Sequence, residues 1–339
     1  MSKLKVGLIG LGGQGRGHAK AMIKNVDGPY ELVAVCDVNP EKFGMVAING
    51  NIKENKSSLS FENFNCYTSA DEMFAKESLD MVVIAIPTYL HCEMTVKALR
   101  AGCHVLCEKP MALNADECQL MIDTAKECGK ELMIGQCLRF WDEYKILKSF
   151  VDSGELGKVT AGMFYRGGSF PAWSYQNWYA HKELGGGAIF DHHVHDVDMV
   201  QYLFGMPEAV SSNGQILIEG SNFDTVCTNY IYENGPTVFT HNDWTLSCGF
   251  AHGYRVNFEK GTLEMTLAGL KLTRKGEKEA EVIEFAKSNA LTNELTYLAE
   301  CVKGEHKNEI NPPEASKDTI RLVLAEIASA GKRAEKVAP

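Results

Sequence analysis

Three clusters of residues in this chain have types and spacings that can do chemistry. Gly10-Leu11-Gly12-Gly13-Gln14-Gly15 follows an apolar, β-branched run, Lys5–Ile9, and opens a helical pattern through Ile23. Glycines at the first, third and sixth places permit a tight turn, let a ligand approach the backbone, and let helix and strand pack closely. The free N–H groups at the start of such a helix attract phosphate oxygens. Asp37 closes the next strand, Glu31–Cys36, 22 residues after Gly15. A carboxylate there accepts both hydroxyls of an adenosine ribose and repels a 2′-phosphate. NAD is therefore the expected cofactor and NADP is disfavoured; Arg16 and Lys42 are the cations that would soften the preference.

The second cluster, Glu108-Lys109-Pro110, follows the short strand His104–Cys107, at a strand's carboxyl end, where ligands bind in open α/β sheets. The third runs from Gly185-Gly186-Gly187 through Asp191-His192-His193-Val194-His195 to Asp198. On a helix over Ala188–Phe204, Phe190, Val194, Val197, Val200 and Phe204 form the buried stripe. Asp191 and His195 are then i and i+4 on a neighbouring face. A carboxylate and an imidazole so placed, after a triple glycine needing unusual backbone angles, suit acid/base work. The same spacing would allow two metal ligands, Asp191 with His195 or His192 with Asp196. A second ligand group is not evident, so no metal is assigned. His181, His241 and His252 have no motif around them and receive no role.

Strands and helices alternate through about residue 135: Lys5–Ile9, Glu31–Cys36, Asp80–Ile86, His104–Cys107 and Glu131–Ile134, with helices at Tyr89–Ala101 and Ala115–Cys128. This order predicts an α/β fold, a Rossmann-type doubly wound parallel sheet. Gly44 to Phe64 reads as a helix followed by a polar loop. From Lys158 strands follow one another directly, Val159–Arg166, Ala209–Ile218, Thr225–Tyr232, Val238–Leu246, Tyr254–Glu259, Thr262–Leu267 and Lys271–Arg274. They predict an α+β domain with a large open, mainly antiparallel sheet. Two helices close the chain, Asn289–Lys303 and Glu314–Lys332. The expected division is a nucleotide domain over 1–135 and a substrate and oligomerisation domain over 136–339. The last helix is expected to pack back towards the first domain.

At 339 residues two domains are the natural expectation. A formal net charge of −10, without a dense basic stripe, argues against nucleic acid as a partner. The early apolar run is too short for a signal peptide and no stretch reads as a membrane span. An odd count of 11 cysteines without a C-x-x-C pair fits reduced thiols, so a cytoplasmic location is expected.

These motifs together resemble the glucose–fructose oxidoreductase/inositol dehydrogenase/MocA family. The resemblance spans nearly the whole chain: the glycine loop, Ile84-Ala85-Ile86-Pro87 with His91 beyond it, Ala101–Val105 running into Glu108-Lys109-Pro110, Gly154–Gly157, Gly185–Asp198 and Ala325–Gly331. It implies that Ile86, Pro87, Thr88, His91, Glu108 and Lys109 join the glycine loop and Asp37 around NAD. It implies that Lys109 hydrogen-bonds the reacting hydroxyl, that His195 takes its proton, and that Asp191 binds substrate and holds the network. It places Arg139 and Tyr254 at the substrate. Trp173 and Trp178, ahead of the triple glycine, would either add stacking faces for a sugar ring or serve the structure.

The chemistry agrees: oxidising H–C–O–H removes a proton, suited to an imidazole, and a hydride, accepted by nicotinamide, while a lysine cation stabilises the alkoxide. The expected activity is hydride transfer at a hydroxyl carbon of a sugar, inositol or related polyol. A redox-neutral sugar-modifying enzyme of glycosidase or epimerase type, holding NAD tightly, would carry nearly the same motifs. A non-catalytic sugar sensor would be expected to lack Lys109 or His195. A broad sheet with one apolar face uncovered, like the family resemblance, points to a homodimer or homotetramer.

Overall fold

The computed structural model describes residues 2–45, 59–172 and 174–339. They form two compact units, Met1–Cys137 with Asn289–Lys317, and Leu138–Ser288 with Asp318–Pro339.

The first unit begins with β1 (Leu4–Ile9), α1 (Gly13–Lys24), β2 (Tyr30–Cys36), β3 (Asn65–Tyr67) and α2 (Ala70–Lys76). It continues through β4 (Met81–Ile84), α3 (His91–Arg100), β5 (His104–Glu108), α4 (Ala115–Cys128) and β6 (Leu132–Gly135). The six strands lie parallel in the order β3-β2-β1-β4-β5-β6. Every residue of β4 and β6 is buried, as continuous apolar runs require when helices cover both faces of a sheet. Local signals set the helix ends. Asn114 accepts a hydrogen bond from the Glu117 N–H at the start of α4, and left-handed Gly129 ends that helix.

Two differences from expectation arise here. The apolar run Asp80–Ile86 yields only a four-residue strand, because the chain turns at Ala85, whose carbonyl packs against Gly10. β3 and α2 were not marked by periodicity: they are short, and α2 buries only Ala70 and Met73. The helix expected within Gly44–Phe64 falls largely on residues 46–58, outside the described residues.

The second unit holds α5 (Asp142–Ser153), β7 (Val159–Gly167), α6 (Ala188–Asp191), α7 (His193–Phe204), β8 (Ala209–Gln215), β9 (Thr225–Ile231) and β10 (Thr237–Asp243). β11 (Ala251–Phe258), β12 (Gly261–Thr266), β13 (Gly269–Arg274) and β14 (Glu281–Val282) complete it. Its eight strands run β14-β13-β12-β11-β7-β10-β9-β8, antiparallel except for the parallel pair β7 and β10. Burial alternates along β9, β10 and β11, so one face is packed, and α6 and α7 rest on it. The other face was expected to be apolar. It instead presents Cys227, Asn229, Arg255 and Lys271 beside Phe239, because the outward places of these strands carry mostly polar side chains.

The chain ends with α8 (Ala290–Val302) and α9 (Pro313–Gly331). The segment grouped with the nucleotide unit is Asn289–Lys317. Leu295, Leu298 and Ala299 of α8 are buried, and α8 packs on α1 and β5. α9 crosses the division, and its part from Asp318 belongs to the second unit. There Glu326 receives the Tyr230 hydroxyl, and the Ser329 hydroxyl accepts from the Ser212 N–H. Among the described residues no helix is long and apolar enough to cross a membrane.

Candidate functional site

In the first unit, the loop after β1 has the form its glycines dictate. Gly10 has φ +93°, the left-handed region that favours glycine, and its N–H donates to the Cys36 carbonyl, 2.8 Å away. A Cβ on Gly15 would collide with the Gly10 carbonyl oxygen, so loop and helix touch through bare backbone. A Cβ on Gly12 would meet nothing within 4 Å. Gly12 therefore fronts open space at the N-terminus of α1, which suits a bulky anionic group. At the end of β2, Asp37 accepts from the Leu11 N–H at 2.8 Å and from the Asn39 N–H at 3.0 Å, with Lys42 Nζ at 4.0 Å. These residues fit an adenine dinucleotide.

Arg16 uses its donors within the protein, although its charge still interacts with Asp37. It is buried, and its guanidinium donates to the carbonyls of Leu11, Leu59, Lys42 and Gly44 beneath the ring of Phe61. Its donors tie the loop together instead of facing a phosphate.

Glu108 ends β5, buried. Its carboxylate lies 2.7 Å from His18 Nε2 and accepts from Gln14 Nε2 at 3.2 Å and from the Lys109 N–H at 3.2 Å. Burial alone would push this carboxyl's pKa up; the His18 hydrogen bond and the charges of His18, Lys109 and His91 outweigh it and hold the pKa below the ordinary value. Gln14 and His18 are i and i+4 on α1, so one face of that helix grips the strand bearing Lys109. This partnership escaped the sequence reading, although the i, i+4 spacing behind the glycine loop was its visible trace.

His91, expected at the cofactor, is buried as well. Its Nδ1 is 2.8 Å from the Pro110 carbonyl oxygen and its Nε2 is 2.9 Å from that of Ile86. Both ring edges thus face backbone, and His91 and Glu108 act as struts behind Ile86-Pro87-Thr88 and Lys109. The Lys109–Pro110 peptide is cis.

In the second unit, Gly186 and Gly187 have φ +80° and +76°, and Gly187 caps α6. The helix expected over Ala188–Phe204 is interrupted at His192, where the His195 N–H donates to the His192 carbonyl at 3.3 Å. Asp191 closes α6 and His195 lies in the first turn of α7. Phe190, Val194, Val197 and Val200 are buried as the stripe requires, while Phe204 is half-buried. Asp191 Oδ2 lies 3.6 Å from His192 Nε2.

Two residues expected at the substrate are engaged by the interior of the second unit. Arg139 is buried with its guanidinium forked onto Asp198, Nε to Oδ2 and Nη2 to Oδ1 both at 2.8 Å, and Thr319 also donates to Asp198. A paired, desolvated guanidinium of this kind holds α7 in place. Tyr254 is fully buried, packed by Tyr144 and Phe164, and its hydroxyl donates to the Glu143 carbonyl at 2.7 Å. It is a core aromatic, because the inward register of β11 points it at α5 rather than at a ligand. Trp178, half-buried, stacks on Tyr179 with centroids 3.9 Å apart. Trp173 lies outside the described residues. Among the described residues no group of three or more His, Cys, Asp or Glu side chains is placed to hold a metal ion.

A parallel sheet in this order, with a glycine cradle and an acidic strand end, defines the first unit as a dinucleotide-binding Rossmann domain. Residues 4–136 match the model of the oxidoreductase family with an NAD-binding Rossmann fold, and residues 144–264 match the GFO/IDH/MocA C-terminal domain. The chain belongs to the GFO/IDH/MocA family. It is 34% identical over 178 residues to a 2,7-anhydro-N-acetylneuraminate hydratase of Mediterraneibacter gnavus, covering 50% of this chain and 46% of the relative. It is 32% identical over 216 residues to a D-glucoside 3-dehydrogenase of Escherichia coli, covering 62% of this chain and 57% of the relative. The chain thus spans about half the length of these curated relatives. An aldose-aldose oxidoreductase of Caulobacter crescentus shares the fold at a TM-score of 0.84, with 23% identity over 99% of this chain and 100% of that one.

Proposed function

We propose that this protein is an NAD-dependent oxidoreductase exchanging a hydride at a secondary hydroxyl or ketone carbon of a sugar, inositol or related polyol. The observation that carries the reading is Gly12, fronting open space at the head of α1 while Asp37 marks the end of β2. That cradle, with Leu11, Gly13 and Gln14, would hold the pyrophosphate, and Asp37 the adenosine ribose. Ile86, Pro87 and Thr88 would line the nicotinamide half. When bound, nicotinamide supplies the hydride exchange.

The chain's own residues manage the proton. Lys109 donates a hydrogen bond to the reacting oxygen and stabilises the developing alkoxide. His195 accepts the hydroxyl proton, and Asp191 binds a neighbouring hydroxyl and orients the imidazole. The sugar dehydrogenases among the relatives support this substrate class. The expected assembly is a homodimer or homotetramer in the cytoplasm, checked by light scattering on the purified chain.

The test is formation of reduced nicotinamide with NAD and a panel of inositols, aldoses and glycosides. A steady rise with one class supports the reading, and Lys109→Met is expected to lower kcat/KM by about 100-fold or more. Full turnover in that variant would sink the mechanism. The relative acting as an anhydroneuraminate hydratase favours a second reading, a redox-neutral enzyme. Product formation with no reduced cofactor released would select it.

A further inference from the structure

Asp191 and His195 stand on two helices rather than one, because the chain breaks at His192 between α6 and α7. In an unbroken helix residues i and i+4 share a face automatically. Across a break their relation depends on what holds each piece. α6 is fixed at its head, where a Cβ on Gly187 would meet the Ser221 hydroxyl oxygen at 2.9 Å. Asp224 holds that turn, accepting from the Ser221 hydroxyl at 2.7 Å and from the Leu217 and Ile218 N–H groups. α7 is fixed along its length by Arg166 forked onto Asp196 and Arg139 forked onto Asp198.

The first residue of α7, His193, has an anchor of its own. Its fully buried ring places Nε2 2.8 Å from Glu326 Oε2 on α9. Tyr230 of β9 donates its hydroxyl to Oε1 of the same carboxyl at 2.7 Å. With that proton given to Glu326, the Thr240 hydroxyl of β10 is left to donate to the Tyr230 oxygen, 3.2 Å away. One buried carboxyl thus ties α7, α9 and β9 together at the residue where the helix resumes, and all of these residues belong to the second unit. Glu326 meets an imidazole and a phenol, not a guanidinium or an ammonium. A buried carboxyl costs desolvation that an apolar side chain of the same size would not, so what it adds here is direction.

Helix geometry turns this anchor into an orientation for His195. Residues i and i+2 project roughly 200° apart around a helix. Holding His193 against α9 and β9 therefore turns His195 towards the opposite side of α7. Burial agrees: from Gly185 to Val200 every residue except His195 is buried, and His195 is half-buried. We propose that Glu326 and His193 are positioning residues for the acid/base site, Glu326 setting the place of the His195 imidazole relative to Asp191 through the His193 ring. The inference rests on the reading of His195 as the proton acceptor and deepens it.

The test uses the NAD-loaded full chain with histidine rings labelled with carbon-13 at Cε1, the His195 resonance being assigned by its loss in His195→Gln. Turnover is measured separately on myo-inositol, glucose and methyl glucoside. Glu326→Ala is expected to displace the His195 resonance and to lower kcat about 100-fold, with KM moving less than about threefold and NAD affinity unchanged, the pattern of a misplaced reacting group. Glu326→Gln is expected to return the resonance and to bring kcat within about fivefold of the wild type. Its amide oxygen still accepts from Tyr230, and its NH2 meets the His193 ring in the other tautomer. Tyr230→Phe removes one hydroxyl from the same carboxyl and is the milder variant should Glu326→Ala not fold; it is expected to move the same resonance and lower kcat about fivefold. A purely structural anchor would lower the melting temperature and leave both resonance and kcat as in the wild type. An unmoved His195 resonance in a folded Glu326→Ala or Tyr230→Phe, a loss confined to KM, or no recovery in Glu326→Gln would each overturn the inference. If the wild type turns over none of the three polyols, the dehydrogenase reading fails for them and the resonance alone decides the positioning. Wild-type turnover with an unmoved resonance in the variants would keep that reading and overturn this one.

Discussion

His18 Nε2 lies 2.7 Å from Oε1 of Glu108, and both side chains are buried in the nucleotide-binding unit. The contact joins the helix behind the glycine loop to the strand end that carries Lys109. Gln14, one turn earlier on α1, meets the same carboxylate. The dinucleotide cradle and the lysine peptide are thus mechanically one piece, independent of the two ring edges of His91 that brace the same strand ends.

Removing this carboxylate should leave a pH signature. The folded Glu108 pKa lies below its ordinary 4.5, so its stabilising contribution is present above pH 4.5 and is lost as pH falls through the folded value. Glu108→Gln is expected to lose about 3 kcal/mol in urea unfolding at neutral pH. The gap to the wild type should narrow as pH falls below 4.5 and through the lowered folded value. A gap constant with pH would mean that the carboxylate's charge is not what stabilises the contact.

Two glycine substitutions should separate folding from cofactor binding. Gly12→Ala places its methyl in open space, so the melting temperature should hold while NAD binding weakens about tenfold or more through loss of close phosphate approach. Gly15→Ala drives its methyl into the Gly10 carbonyl and should lower stability by about 1–3 kcal/mol. Calorimetric titration with NAD alongside thermal melts would decide; equal NAD affinity in Gly12→Ala would remove the cradle assignment.

His104 should make the protein acid-sensitive. Burial, then the charge of Lys130, push its pKa down to about 4 against the opposing charge of Asp80, and its Nδ1 accepts from the Glu131 N–H. The unfolded chain therefore takes up a proton near pH 6.5 that the folded chain refuses, so stability falls from pH 6.5 down to about 4. His104→Asn should lose less stability than the wild type between about pH 7 and 5. Parallel losses in urea midpoints would contradict this.

Thiol labelling should follow exposure. Cys227 and Cys248 are exposed, although burial raises the Cys227 thiol too; burial pushes the Cys36 and Cys118 thiols up to about 12 and that of Cys103 up to about 11. Iodoacetamide on the native protein should mark Cys227 and Cys248 first, as peptide mass spectrometry would show. Early labelling of Cys36 would indicate that β2 opens readily.

Local pattern was enough for much of the nucleotide unit. Gly10 through Gly15, the buried β4 run and the Asn114 and Gly129 helix ends express themselves within a few residues, because steric freedom, two-faced burial and capping are local effects. The α6–α7 stripe and the left-handed pair Gly186 and Gly187 were legible for the same reason. The short β3 and α2 were not, since neither is long enough to display a period.

What the sequence by itself determined is the glycine turn, the alternation of strand and helix in the nucleotide unit and the change to directly successive strands in the second unit. What only the tertiary structure decided is which polar side chains are committed to the protein's own interior. Arg139 closes on Asp198, Tyr254 turns under α5, and Glu108 meets His18 from 90 residues away. His252, without a motif, is brought opposite Arg166 by the pairing of β11 with β7. Periodicity records burial along one element, whereas these partnerships depend on strand register and helix packing between elements distant in the chain.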